Sequence, residues 1–382
     1  MTWRVPLVDI DYGDAEAQAV LDVLANRWLT MGDVTMDFES QFAETVGAEY
    51  ALATSNATAA LHLACLSLGI GAGDEVIVPS LSFVATASAV LYTGASVRFA
   101  DILGLDELTI SPIDIEKQIT PHTKAIIVMH YGGYPCRMPE IMDIADRHKL
   151  SVIEDAAHAP GASLNGKSLG IWGDVGCFSF FSNKNLAIGE GGMLVTDRED
   201  IAEQVKLLRS HAMTSLTWDR HQGHTYTYDV VDLGYNDRID EIRSSLGLVQ
   251  LKKLSANNAR RKRIAEKYFQ AFSGSALGLP FRKKHKNLHA ETEINPSYHI
   301  FPVLLPEGMD RAAFMESLHA SGVQTSIHYP PIHHFTYYRR MYPTTVLPES
   351  EEAARREVTL PLFPTMSDDQ VSLVVETVLS AL

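Results

Sequence analysis

Short apolar runs that end in polar or charged residues, each separated from the next by a helical pattern, leave this chain few folds to choose from. Ser151-Val152-Ile153 is one such run, and it delivers Glu154-Asp155 to its carboxyl end. A second, Val175-Gly176-Cys177-Phe178-Ser179-Phe180-Phe181, leads into Ser182-Asn183-Lys184 and the glycine-rich Gly189-Glu190-Gly191-Gly192, after which Met193-Leu194-Val195-Thr196 again reads as a strand. Upstream, Tyr50–Thr54, Glu75–Pro79, Ser96–Phe99 and Ala125–Met129 have the same character. Helical patterns at 57–68, 84–91, 113–119 and 138–148 lie between them. Strands alternating with helices of this length imply right-handed crossovers and a large α/β domain with a mostly parallel sheet. In open α/β sheets the ligand edge is the carboxyl end of the strands, which is where Asp155 falls.

An acid at a strand end and a lysine in a loop between two later strands suit one cofactor well. Pyridoxal phosphate needs a lysine amine for its Schiff base and a carboxylate opposite its pyridine nitrogen. Glycines after the lysine let the backbone approach a ligand. Taken singly, each feature has a plainer reading: Asp155 as a helix cap, Lys184 as a solvated side chain, the glycines as a turn. Their order and context favour the cofactor. Ser55-Asn56 precedes the helix at Ala57, and free N–H groups at a helix start form a phosphate site; simple capping explains the same residues.

Composition narrows the partners. A net charge of −15 with no long block of like charge argues against nucleic acid or an anionic membrane surface. No run of about 18 apolar residues marks a membrane span, and the start of the chain has no signal pattern. Cys65, Cys136 and Cys177 are widely spaced in apolar surroundings, so buried free thiols and a cytoplasmic location are expected. His328-Tyr329-Pro330-Pro331-Ile332-His333-His334 lacks regular metal-ligand spacing, and no metal is expected there.

The tracts Glu154-Asp155-Ala156-Ala157-His158-Ala159 and Ser179 to Asp197, SFFSNKNLAIGEGGMLVTD, resemble the core signature of the DegT-type (DegT/DnrJ/StrS) sugar aminotransferases. These are fold-type I pyridoxal phosphate enzymes. The likeness extends along nearly the whole chain. It implies an aspartate aminotransferase-like large domain, residues 1–250, and a smaller α+β C-terminal domain, residues 251–382, joined by a long helix from Glu241 to about Phe272.

The resemblance also assigns roles. Lys184 carries the Schiff base and moves protons, Asp155 faces the ring nitrogen, and Phe83 stacks on the ring. His158 contacts the ring hydroxyl. Ser179, Thr58 and the backbone of Ala57, where the family usually has glycine, hold the phosphate. Leu233-Gly234-Tyr235-Asn236-Asp237-Arg238 matches a family tract apart from Asp237; there the asparagine comes from the partner subunit, so Asn236 implies a homodimer with composite active sites. Trp28, Thr30 and His328 are the candidate substrate contacts.

The implied reaction is transfer of an amino group from glutamate or glutamine to a nucleotide-linked keto-sugar, in the biosynthesis of an amino sugar. A keto-cyclitol substrate, a different fold-type I reaction and a non-enzymatic pyridoxal phosphate-bound regulator are the competing readings. The choice of sugar depends on loops at 211–228 and 282–292, the second of which includes the basic piece Arg282 to Lys286.

Overall fold

The computed structural model describes residues 3–215, 223, 227–282 and 293–382. Its centre is a seven-stranded sheet of β1 (Tyr50–Thr54), β2 (Glu75–Pro79), β3 (Ser96–Ala100), β4 (Thr123–Met129), β5 (Ser151–Asp155), β6 (Val175–Ser179) and β7 (Gly192–Thr196). The strand order is β1-β7-β6-β5-β4-β2-β3. Strand β7 pairs antiparallel with both neighbours, β1 and β6, while β2 to β6 pair in parallel. The expected mostly parallel sheet is therefore present.

The strands read as continuous apolar runs because both faces are covered, and successive side chains point to opposite faces. On β4, Ala125 and Ile127 join Val76, Val78, Ile153 and Leu194 in one core, beneath the helices Ala57–Ser67 (α1), Ala85–Tyr92 (α2) and Glu199–Leu208 (α3). Ile126 and Val128 join Val152, Phe178 and Met193 in the other, with Phe38 and Phe42 from the helix Asp33–Val46 and Ile141 and Ile144 from the helix Met138–His148. The three cysteines are free and buried.

A third core contains Phe301, Val303, Phe314, Leu318, Val358, Leu360 and Val374. It surrounds the antiparallel pair β8 (Phe301–Leu304) and β9 (Glu357–Leu360). The 31-residue helix Glu241–Ala271 (α4) spans from one core to this one: Leu254 packs with the sheet, Ile264 and Tyr268 with the third group. Asp240 caps its start by accepting the Arg243 backbone N–H at 2.9 Å.

Two tracts that read as strands of the smaller domain from their residues alone, Gln324–Ile327 and Tyr298–Leu305, do not pair as strands along their whole length. Gln324–Ile327 has strand-like residues, yet the tract makes only isolated bridges beside it, Val5 with Val323 and Ser326 with Thr359. The Gln324 side chain meanwhile accepts the Leu7 N–H. The apolar run at Tyr298–Leu305 becomes a strand only from Phe301, because the His299 N–H bonds to the Gly132 carbonyl. Among the described residues, no helix is long and apolar enough to cross a membrane.

Candidate active site

Strand alternation separates the two acids at the end of β5. Glu154 is fully buried and accepts N–H groups from Gly170, Trp172 and Gly173 at 2.8, 2.6 and 2.8 Å. His130 Nε2 lies 2.9 Å from the same carboxylate, and His130 Nδ1 accepts the Cys136 N–H. The His130 proton is thereby placed on Nε2, toward Glu154. Glu154 thus holds the 170–173 loop and has no face left for a ligand.

Asp155 points the other way. Thr86 Oγ1 donates to its Oδ2 at 2.7 Å and the Ala157 N–H to its Oδ1 at 3.2 Å. The Thr86 proton is committed to Asp155, so Ser82 donates to Thr86 at 2.6 Å. Burial raises the Asp155 carboxyl above the ordinary aspartate range, against the opposing pull of Thr86, Ala157 and Lys184. A buried anion in this state gains from a nearby cation.

That cation comes from the loop after β6. The Lys184 N–H donates to the Phe181 carbonyl, turning the half-buried side chain inward. Its amine lies 3.5 Å from His299 Nε2. Burial lowers the Lys184 pKa to about 8, with Asp155 acting the other way. His158 and His299 are held well below the ordinary histidine range by burial first, with the Lys184 charge adding to it. His328 is brought down to about 4 for the same two reasons.

His158 Nδ1 accepts the Gly132 N–H at 3.3 Å, which leaves Nε2–H to donate to the Tyr329 hydroxyl at 2.9 Å. The Tyr329 ring stands 6.0 Å from that of Phe83. Phe83 is 55% exposed although it sits at a strand end among buried neighbours, and an open aromatic face of this kind suits a flat ring.

The sheet register builds the other end of the site. Gly192 pairs with Ser179 on one side and Thr54 on the other, so Ser179 and the start of α1 lie at one edge. A Cβ on Gly192 would sit 2.5 Å from the Asn56 carbonyl carbon and 2.7 Å from the Ala57 nitrogen. Only glycine allows β7 to close on that turn. Asn56 Oδ1 caps the Ala59 N–H at 2.9 Å, and the Ala57 and Thr58 N–H groups are among those a helix start leaves without intrahelical partners. Amine, carboxylate, open aromatic and helix N-terminus form a donor set that fits pyridoxal phosphate.

The remaining candidates are held by contacts of their own. The half-buried Trp28 and exposed Thr30 belong to a tract bound to α4: the Glu241 carboxylate accepts N–H groups from Gly32, Val34 and Thr35, and Thr30 bridges Asp240. Arg243 ties that corner to the Ser55 and Glu190 carbonyls, so Thr30 lies on the side of the α1 start. Asn236 is exposed, with its backbone bridged to Ser210. His328 donates its N–H to Glu357 and turns Nδ1 toward Thr359 Oγ1 at 2.9 Å. The loops expected to choose the substrate lie largely outside the described residues, at 216–222, 224–226 and 283–292.

Four residues of the site were missed in the sequence. Thr86 was detectable, three positions after Phe83 at a helix start. Tyr329 was detectable beside His328. His299 reads as part of a strand and Asn185 as a loop residue, and nothing local distinguishes either. Among the described residues, His333, His334 and Glu351 bring possible metal-ligand atoms within 4.8 Å of one another. Glu351 Oε1 there accepts the Leu347 N–H and meets His333 Nε2 at 3.1 Å, a cap at the start of the helix Pro348–Arg356.

Known proteins resemble the chain throughout its length. The model of the DegT/DnrJ/EryC1/StrS aminotransferase family matches residues 11–379. The spore coat polysaccharide biosynthesis protein SpsC of Bacillus subtilis is 37% identical over 388 residues, covering 99% of this chain and 96% of SpsC. The structure of Helicobacter pylori PseC, an aminotransferase of pseudoaminic acid biosynthesis, superposes with a TM-score of 0.89 at 29% identity, over 100% of this chain and 99% of PseC. Spr1654 of Streptococcus pneumoniae, described as a sugar aminotransferase and solved in a PLP form, gives 0.90 at 26% identity, over 100% of this chain and 98% of that one.

Proposed function

This chain belongs to the DegT/DnrJ/EryC1/StrS aminotransferase family and is a pyridoxal phosphate-dependent sugar aminotransferase, and from that premise we propose that it moves an amino group from glutamate or glutamine to a nucleotide-linked keto-sugar in amino-sugar biosynthesis. The observation that carries this reading is a lysine amine, brought down to about 8 by burial, whose charge acts on the buried Asp155 carboxylate at the carboxyl end of β5. SpsC and PseC support the sugar-building context by their own names.

Pyridoxal phosphate, when bound, supplies a ring that accepts electrons from a substrate carbanion. The chain does the rest. Lys184 anchors the cofactor, and its freed Nζ takes the proton from the donor's α-carbon and returns one. Asp155 keeps a proton on the ring nitrogen. Phe83 covers one ring face and His158 meets the ring hydroxyl. Ser179, Thr58 and the Ala57 backbone hold the phosphate, while Trp28, Thr30 and His328 line the path of the sugar. Residues 1–250 form the cofactor-holding domain and 251–382 the smaller one.

Half-reactions test the transfer. Adding L-glutamate to the cofactor-loaded protein is expected to change the absorbance of the bound cofactor and release one equivalent of 2-oxoglutarate. A nucleotide-linked keto-hexose should restore the spectrum, whereas a keto-inositol should not. Restoration by the cyclitol alone would replace the sugar with a cyclitol, and release of carbon dioxide would replace transamination with decarboxylation.

Asn236 is exposed on its own subunit, which suits a side chain that completes a neighbour's phosphate site. The working unit is then a homodimer. Sedimentation should give twice the 42.1 kDa chain mass, and a fully active monomer would remove this part of the reading.

A further inference from the structure

Among the described residues, the Lys184 amine has one hydrogen-bonding neighbour, His299 Nε2 at 3.5 Å. What His299 offers at that nitrogen is fixed by a chain of bonds that begins three residues away in space. Asn258 Nδ2 donates to the Pro160 carbonyl at 2.9 Å, so its Oδ1 is the acceptor available to others. Asn185 Nδ2 donates to that Oδ1 at 2.8 Å and to the Ser297 carbonyl at 2.8 Å. Both Asn185 amide protons are thereby used on its nitrogen side, and its Oδ1 faces His299 Nδ1 at 3.0 Å. An amide oxygen only accepts, so Nδ1 carries the His299 proton and Nε2 carries a lone pair aimed at Lys184.

A second proton on the ring is disfavoured from every side. The ring is 3% exposed and packs on His158 with centroids 4.2 Å apart. Arg261, whose Nη1 donates to the His299 and Leu362 carbonyls, adds positive charge, as does Lys184. The charged and titratable groups facing Lys184 itself are Asp155 on β5, His158 beyond it, His299 ahead of β8, and His328.

The geometry points to His299 as the group that aims the Lys184 amine, accepting one of its N–H bonds so that the nitrogen lone pair faces the substrate carbon, with Asn185 as the positioning residue that fixes the imidazole tautomer. This rests on the aminotransferase reading and deepens it. A neutral amine that has given one N–H to a fixed acceptor keeps its lone pair away from that acceptor. Once it has taken the substrate proton, the ammonium makes a stronger, charge-assisted bond to the same lone pair. His299 itself gains no proton, so the one that Lys184 collects is the one it delivers.

Two measurements separate this role from packing. The first uses cofactor-free protein and pyridoxal phosphate as the probe, following the rate of chromophore formation against pH. In the wild type the rate should rise through about pH 8, where Lys184 loses its proton. His299→Leu removes an acceptor that favours the ammonium, so the midpoint should fall by about one pH unit. The second is steady-state turnover. His299→Leu should lower kcat by about 10- to 100-fold, the scale of a misaimed reacting group, with KM for the amino donor little changed. His299→Gln, whose side-chain oxygen still accepts while its NH₂ meets Asn185, should recover kcat to within a few-fold.

Unchanged midpoint and kcat in His299→Leu would overturn the assignment, and so would a Gln variant as slow as the Leu variant. Should His299→Leu fail to fold, Asn185→Leu keeps the imidazole and frees its tautomer; normal turnover there would equally overturn it. A wild type that captures no pyridoxal phosphate, or captures it as well after Lys184→Ala, would instead refute the aminotransferase reading.

Discussion

Lys184→Ala is expected to leave the protein folded and to lower turnover by at least about 10⁴-fold, since covalent anchoring is lost together with a proton transfer worth roughly 10²–10⁴ by itself. The fold should survive because the amine contributes little to it. Its one neighbour among the described residues is His299, at 3.5 Å. Its charge acts on Asp155 without a hydrogen bond or ion pair between the two among the described residues, so deleting it breaks no direct contact of that carboxylate. Asp155 keeps Thr86 and Ala157. The check is a turnover assay beside a thermal melt of the cofactor-free protein. Turnover within tenfold of wild type would remove Lys184 from the chemistry, whereas collapse of the melt would mean that the residue was structural.

The sheet was legible because both of its faces are buried. The β4 tract of alternating Ala125, Ile126, Ile127 and Val128 feeds two cores at once, and that demand writes a continuous apolar run that periodicity reads without a structure. The order of Asp155, Ser179, Lys184 and Gly192 was legible for a related reason: strand ends carry the site, and strand ends are what an apolar run marks. What stayed hidden depends on residues distant in sequence. His299 reaches Lys184 across 115 positions, and its tautomer is set through Asn185 by Asn258 and Ser297. No local pattern records such a chain. Gln324–Ile327 misled for the opposite reason, as local strand preference came without an adjacent strand to pair along its length. The two acids of β5 were adjacent in the sequence and only the family resemblance ranked them; the loop at 170–173 gives the physical reason, since it already occupies Glu154.

That occupation gives the largest expected effect on stability. Glu154→Ala removes the acceptor of three backbone N–H groups and of His130 Nε2 in a fully buried place. Each stranded donor costs about 1–3 kcal/mol, so a total of at least about 4 kcal/mol is expected even with strong non-additivity, against a whole stability of roughly 5–15 kcal/mol. The protein should melt far lower or fail to accumulate in soluble form. Asp155→Asn, one residue away, should behave in the reverse manner. Asn keeps an oxygen for the Ala157 N–H, and its NH₂ can donate to Thr86 Oγ1, whose own proton then turns to Ser82 Oγ. The fold should hold within a few degrees. Turnover should fall by about 10²–10³, the scale of losing one electrostatic partner at a developing charge. Denaturant melts and turnover assays on the two variants decide the matter together. A Glu154→Ala protein as stable as wild type, or an Asp155→Asn protein with normal turnover, would mean that the two carboxylates had been given each other's roles.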